Sequence, residues 1–217
     1  MINNKNYCKI YLVRHAQSIN NAKSDRGQEI FAKRLKFGSK LTPLGIKQAK
    51  SLAGKFKKIK FRAAYSSDYR RAYQTANILV DGRNLKVKRF KEIRERSWGS
   101  LEGKITGKIK LKIKRLQKGL TDEEKLKLRI VKDSETDYEA MERLKNFLGK
   151  IAKKNIGKTV LVVGHGNTMR ALIVNLGYAK YDELPSGSLK NTGYLIIESN
   201  GENFKIQKMV GVSKKDL

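Results

Sequence analysis

The chain alternates between two patterns of apolar and polar positions. Ile10-Tyr11-Leu12-Val13 and Val160-Leu161-Val162-Val163 are unbroken apolar runs, the pattern of strands buried on both faces. Six strands are predicted, at 9–14, 63–66, 85–88, 159–164, 194–198 and 204–209. The stretches between them carry apolar residues at helical spacing. Thr42 followed by Pro43 predicts an N-cap with proline in the first turn, opening a helix that runs to about Phe56. Ala49, Leu52, Ala53 and Phe56 lie on one face of it. Ser134 is expected to cap a longer helix, whose Tyr138, Met141, Leu144, Phe147, Leu148 and Ile151 form a stripe of period 3.6. Both stripes read as core packing. Strands alternating with helices predict an α/β fold, and no repeat of 20–50 residues points to a solenoid.

The stretch 104–120 fits two patterns. Ile109, Leu111 and Ile113 alternate with lysines as in a strand, yet Ile105, Ile109, Ile113, Leu116 and Leu120 share one helical face. Its length favours a helix. We expect a single domain over 1–217, with a basic insertion at about 104–133 lying over the core sheet.

Composition narrows the class. The chain has 217 residues, 39% of them apolar and 32% charged, as in a globular protein. No run approaches the ~18–20 apolar residues of a membrane span, and the start lacks an apolar leader, which points to a cytoplasmic product. A single cysteine, Cys8, excludes an internal disulfide framework and a Cys-rich zinc site. The formal charge of +29 is the unusual figure, and its first reading is nucleic acid or another polyanion. However, no nucleic-acid-binding pattern accompanies the charge, and the aromatics do not interleave with it. Residues 30–67 carry eleven basic and no acidic residues, and 104–120 seven and none. Such a spread suits steering of small anions better than a docking surface.

Candidate chemistry gathers at strand ends. Both histidines, His15 and His165, directly follow apolar runs, where open α/β sheets bind ligands. Arg14 precedes the first and Arg170 follows the second by about one helical turn. Ser67-Asp68-Tyr69-Arg70-Arg71 follows another strand at a helix start. Guanidinium forks and helix N-termini both suit a phosphoryl group. The spacing Cys8-x5-Arg14 satisfies a cysteine-phosphatase motif, but the intervening residues are strand-like and hold the two far apart. We reject that reading.

Taken together the motifs resemble the histidine phosphatase superfamily, in particular its phosphoglycerate mutase-like branch. Arg14-His15-Ala16-Gln17-Ser18 with Asn21 is similar to the family's Arg-His-Gly-Glu-Ser/Thr-x-x-Asn. Leu41-Thr42-Pro43-Leu44-Gly45-Ile46-Lys47-Gln48-Ala49 resembles Leu-Thr-x-x-Gly-x-x-Gln-Ala. Ser67 with Arg71-Ala72-Tyr73-Gln74-Thr75-Ala76 resembles Ser-x-x-x-Arg-Ala-x-x-Thr-Ala and selects Arg71 over Arg70. Glu95-Arg96-Ser97-Trp98-Gly99-Ser100-Leu101-Glu102-Gly103 is similar to the segment that carries the family's acid. Gly164-His165-Gly166 with Arg170, and Asn191-Thr192-Gly193, resemble the last two signatures. The family usually has glycine at the position of Ala16 and often glutamate at that of Gln17. The substitution at 17 is expected to bear on substrate choice more than on chemistry.

The resemblance implies a three-layer sandwich with a mostly parallel central sheet flanked by helices. It also implies a phosphatase that needs neither metal nor cofactor. His15 would form a phosphohistidine, with Arg14, Arg71 and His165 around the phosphoryl oxygens. Glu95 would be the acid and base, protonated at the outset with help from the adjacent phosphate anion. Asn21, Gly166, Asn191 and Thr192 are further candidates for phosphate or substrate contacts. Without the motif, a glutamate between Arg94 and Arg96 would read as a solvated ion pair. Arg170 could touch phosphate or orient the His165 loop, and Trp98 reads as core or pocket wall. Asp133-Ser134 with Arg143 resembles a family Glu-Ser…Arg pairing in which aspartate replaces the glutamate.

The expected partner is a small anionic phosphorylated substrate, and the chain itself is expected to be a monomer or homodimer. Two other functions are weighed. A mutase would retain the phosphoryl group, but only 69 residues separate Glu95 from His165, which leaves little chain to cap the site. A nucleic-acid binder is the disfavoured reading.

Overall fold

The six strands form one sheet in the order β3-β2-β4-β1-β5-β6. They are β1 (Cys8–Arg14), β2 (Ala63–Ser67), β3 (Val87–Phe90), β4 (Thr159–Gly164), β5 (Leu189–Ser199) and β6 (Phe204–Val212). The first four are parallel, while β5 runs antiparallel to β1, and β6 antiparallel to β5. The computed structural model describes residues 6–25, 38–102 and 107–216.

Alternation along the central strands sorts the core onto two faces. Val13, Leu161 and Val163 pack with Leu52 of helix α2 (Pro43–Lys55), with Phe56 just beyond it, and with Ala72, Ala76 and Leu79 of α3 (Arg70–Val80). Ile10, Leu12, Val160 and Val162 pack on the opposite side. There they meet Met141, Leu144 and Leu148 of α6 (Asp137–Lys154) and Met169 and Leu172 of α7 (Gly166–Asn175). The result is the expected three-layer sandwich. Every β4 residue after Thr159 is buried, as strands covered on both faces require.

Several boundaries differ from expectation. β3 begins at Val87, because the chain turns through 83–85 (the Leu85 N–H donates to the Arg83 carbonyl at 2.7 Å) and pairing starts where Val87 meets Ala64. β5 starts at Leu189, five residues early, and is irregular between Leu189 and Tyr194. The long helix is capped by Thr136 and not by Ser134. Thr136 and Glu139 form a reciprocal capping box, stronger than a lone serine. Ser134 instead closes a turn onto Val131, donating to its carbonyl at 2.9 Å.

The segment around 104–120 is helical where described, as α4 (Gly107–Leu116), with 103–106 outside the described residues. The next helix, α5 (Asp122–Lys127), buries Leu126 in the cluster shared with α6 and α7. Together with α1 (Ile19–Asp25) this completes the elements that position the site. Among the described residues no helix is long and apolar enough to cross a membrane. Cys8 and Arg14 occupy opposite ends of β1, and burial pushes the Cys8 thiol up to about 12. Both facts disfavour a thiolate nucleophile there.

Removing the capping box is expected to be visible in folding. Thr136→Ala should cost about 1 kcal/mol in urea denaturation with an unchanged slope. An unaltered midpoint would show that the start of α6 is set by other contacts.

Candidate active site

The parallel strands deliver their ends to one crevice. The His15 N–H donates to the Gly164 carbonyl at 3.0 Å, continuing the β1–β4 ladder one residue past the strand. His165 follows β4 directly and is the N-cap of α7. Arg71 lies in the first turn of α3, just after β2. The loop after β1 is held tightly by α2. A Cβ on Gly45 would sit 2.0 Å from the Gln17 carbonyl oxygen, so only glycine allows this contact. Gln17 itself anchors that helix, its Oε1 accepting from Thr42 Oγ1 at 2.9 Å. Ala16 is fully buried beside Leu41 and Ala49, so its extra methyl is accommodated.

One guanidinium joins the two imidazoles. Arg71 Nε donates to His15 Nε2 at 3.0 Å, and Arg71 Nη2 lies 3.2 Å from His165 Nδ1. The rings are edge-on, with centroids 5.1 Å apart. Because arginine can only donate, both contacted nitrogens must be lone pairs. The proton of His15 therefore sits on Nδ1, which donates to the Ala16 carbonyl at 2.8 Å. That of His165 sits on Nε2, buried with no hydrogen-bond partner among the described residues. Burial, then the charges of Arg71 and Arg14, hold the His15 pKa well below the usual histidine value. Burial and Arg71 do the same for His165. Two neutral imidazoles with fixed tautomers result.

Arg14 lies along the start of α7. It donates through Nη1 to the Leu189 carbonyl, and a Cβ on Gly166 would come 3.1 Å from Arg14 Nε. Glycine at 166 thus leaves room for the guanidinium at a helix N-terminus. Arg71 is partly buried, and desolvation lowers its pKa while the Glu95 charge opposes that shift. An arginine nevertheless stays charged.

Glu95 is not in an ion pair with its neighbours. Arg94 binds Asp68 through two bonds of 2.7 and 2.6 Å, and Arg96 binds Asp137 at 2.8 Å. The Glu95 carboxylate instead sits on the N-terminus of α7. Oε1 accepts from the Thr168 N–H at 3.0 Å and hydroxyl at 2.8 Å, and Oε2 from the Asn167 N–H at 3.1 Å. These are donors that favour an anion at a helix start.

The remaining candidates serve mainly as supports. Asn191 Nδ2 donates to the His15 carbonyl at 3.1 Å and to Asn21 Oδ1 at 3.4 Å. Asn21 Oδ1 also accepts from the Ser18 N–H and hydroxyl, each at 3.1 Å. Thr192, at φ 61° in the β5 irregularity, donates its hydroxyl to the Asn191 carbonyl. Arg170 is buried and bound to Asp137 and the Leu184 carbonyl, which is the orienting role of its two alternatives. Trp98 is half-buried and lies under Arg96, whose Cζ is 4.2 Å from its ring centre. Arg143 pairs with Glu135 through two bonds, so the carboxylate comes from position 135 and not from Asp133.

Thr75, Thr168 and Asp137 were not singled out from the sequence. Thr75 Oγ1 accepts from the Ala16 N–H and donates to the Arg71 carbonyl. Its place in the motif around Arg71 was the available signal. Tyr69 also belongs here, edge-on to His165 at 5.5 Å with the Arg71 guanidinium 5.0 Å from its ring centre. Among the described residues no group of three or more His, Cys, Asp or Glu could hold a metal ion.

Two neutral imidazoles and two arginines thus gather at the ends of parallel strands, an arrangement suited to holding an anion. The profile of the histidine phosphatase superfamily (branch 1) matches residues 10–211, and the chain belongs to that family. A candidate phosphoserine phosphatase 2 of Hydrogenobacter thermophilus is 34% identical over 195 residues, spanning 89% of this chain and 91% of its own. The metal-independent phosphoserine phosphatase of Arabidopsis thaliana is 28% identical, over 94% of this chain and 82% of its own. Among solved structures, a phosphoglycerate mutase from Bacillus anthracis superposes with a TM-score of 0.75 at 25% identity. That match covers 98% of this chain and 96% of the other.

The tautomers and depressed pKa values predict a simple titration. With only two histidines in the chain, both imidazole resonances should titrate well below 6.5. In Arg71→Gln the opposing cation is lost, the imidazolium forms more easily, and both midpoints should rise. NMR titration checks this; midpoints near 6.5 in the unaltered protein would contradict the neutral pair.

Proposed function

We propose that the protein hydrolyses small phosphomonoesters through a phosphohistidine on His15, without a metal ion. The observation that carries this reading is the lone pair on His15 Nε2, fixed in place by the Nδ1–H bond to Ala16 and met by Arg71.

In the first step Nε2 attacks phosphorus in line. The P–N bond forms, the ester P–O bond breaks, and Glu95 gives its proton to the departing alkoxide. Arg14, Arg71 and His165 face the equatorial oxygens, where charge gathers in the transition state. Arg71 exchanges its bond to the His15 lone pair for phosphate oxygens, and the unpartnered Nε2–H of His165 becomes a donor to one of them. In the second step Glu95 takes a proton from water, the water oxygen bonds to phosphorus, and the P–N bond breaks. Inorganic phosphate and neutral His15 are regenerated.

Charge pairing supports the same reading. Arg94, Arg96, Arg143 and Arg170 each meet a carboxylate. Among the described residues Arg71 meets only nitrogen acceptors in its side-chain hydrogen bonds, so an incoming phosphate supplies its counter-charge. The names of the relatives favour phosphoserine as the substrate to test first.

Incubation with phosphoserine should release phosphate and label the protein transiently with an acid-labile phosphoryl group. His15→Ala should abolish the label and reduce turnover roughly a thousandfold or more. Retained activity in His15→Ala would overturn the proposal, and efficient interconversion of 3- and 2-phosphoglycerate would favour a mutase. The excess basic charge should act through encounter. As salt rises, kcat/KM is expected to fall while kcat holds; a flat profile would mean the charge is incidental.

A further inference from the structure

Beneath the site lies a buried cluster that the reaction does not use directly. Asp137, 2% exposed at the first position of α6, accepts from Arg96 Nη1 at 2.8 Å through one oxygen. Its other oxygen accepts from Arg170 Nη2 at 2.7 Å and from the Tyr181 hydroxyl at 2.8 Å. Burial alone would lower the Arg170 pKa, but the Asp137 charge and the bonds to Tyr181 and Asp137 outweigh it, and the net shift is upward. Both arginines are also stacked, Arg96 on Trp98 and Arg170 on Tyr181, each at 4.2 Å.

Two arginines on one carboxylate are a costly arrangement. Apolar residues of similar volume usually serve stability as well as a buried ion cluster does. Two buried donors, Arg96 Nη2 and Arg170 Nε, moreover have no partner among the described residues. What the cluster does provide is a fixed geometry between two segments, and those segments are the two halves of the Glu95 cradle. Arg96 is the next residue in the chain, and its N–H donates to Glu95 Oε1 at 3.1 Å. Arg170 is two residues beyond Thr168, on the helix that supplies the other donors to the same carboxylate.

We infer that Asp137, gripping Arg96 and Arg170 at once, is a positioning residue that holds the Glu95 carboxylate in register with the helix begun by His165. The inference rests on the reading of Glu95 as acid and base. Asp137 touches neither substrate nor the reacting atoms. Arg94, bound to Asp68, secures the other side of Glu95, so the carboxylate is braced from both neighbours. Tyr181 extends the brace outward, its hydroxyl accepting from Gln117 Nε2 at 2.9 Å, just past α4.

A positioning role predicts a selective loss that a merely structural role would not produce. Hydrolysis of an alkyl phosphate needs a proton on the leaving oxygen, whereas p-nitrophenolate departs without one. kcat/KM isolates this first step. Glu95→Gln sets the reference, with a large loss for phosphoserine and a small one for p-nitrophenyl phosphate. Asp137→Asn and Arg96→Lys should copy this signature, losing about 10–100-fold for phosphoserine but staying within about threefold for p-nitrophenyl phosphate. Arg96 Nε also donates to the Glu135 carbonyl at 3.0 Å; Arg96→Lys keeps the charge but loses the planar fork that makes both contacts, and it decides the matter if Asp137→Asn does not fold. Equal losses on both esters in the folded variants, or no loss on either, would overturn the inference. Equal losses in Glu95→Gln would instead overturn the acid role of Glu95, a separate failure.

Discussion

The site depends on a partly buried guanidinium shared between two imidazoles. Arg71 must be desolvated to reach both rings, and desolvation is expensive for a cation unless its donors find acceptors. Neutral histidines provide acceptors without cancelling the charge. The cost is tolerated only because the surroundings leave little freedom. Thr75 ties the Arg71 carbonyl to the Ala16 N–H, and Tyr69 packs against both Arg71 and His165. A partly buried cation held by neutral partners is a standing demand for an anion. That demand is the physical content of the site before any substrate arrives.

The second constraint is where the carboxylate goes. A charge-dense segment, Glu92-Ile93-Arg94-Glu95-Arg96, could have collapsed into local ion pairs at the surface. Instead each flanking arginine is drawn to a distant aspartate, Asp68 or Asp137. Glu95 is left facing helix N–H groups, next to the cations but not neutralised by direct contact with them. The arginines that look superfluous in the sequence thus leave Glu95 outside any direct ion pair with its chain neighbours.

The central strands and the gathering of His15, Arg71 and His165 were legible in the sequence, for physical reasons. β1 and β4 are covered on both faces, so their apolar runs are continuous and hard to misread. The candidate histidines follow from position, since strand ends open onto one crevice. Edges were less legible. β3 has only partly buried and exposed residues, so its start was set by pairing and by the turn before it. The beginning of α6 was placed at Ser134, whereas the reciprocal bonds of Thr136 and Glu139 set it two residues further on. The partners of Asp137 were invisible, because Arg96, Arg170 and Tyr181 lie 41, 33 and 44 positions away. The contacts of Asn191 were hidden for a similar reason. Its motif marks importance, but only the fold reveals that its amide supports the His15 carbonyl.

The large positive charge acquires a narrower meaning in this context. A charge at the surface is felt over about a Debye length, ~8 Å at physiological salt. Lysines on the outer faces of α2 and α6 therefore contribute little at His15 once salt is present. The charges nearest the imidazoles are Arg14 and Arg71, both fixed and only partly exposed, where each is worth more than a solvated lysine. The remaining excess can only raise the local concentration of anions, whatever their identity. The groups nearest the two imidazoles outside the arginines are Tyr69, edge-on to His165, and Arg94, stacked on Tyr69, and discrimination among anions would fall to such short-range contacts. Net charge sets the sign of the ligand, while a handful of buried bonds set what happens to it.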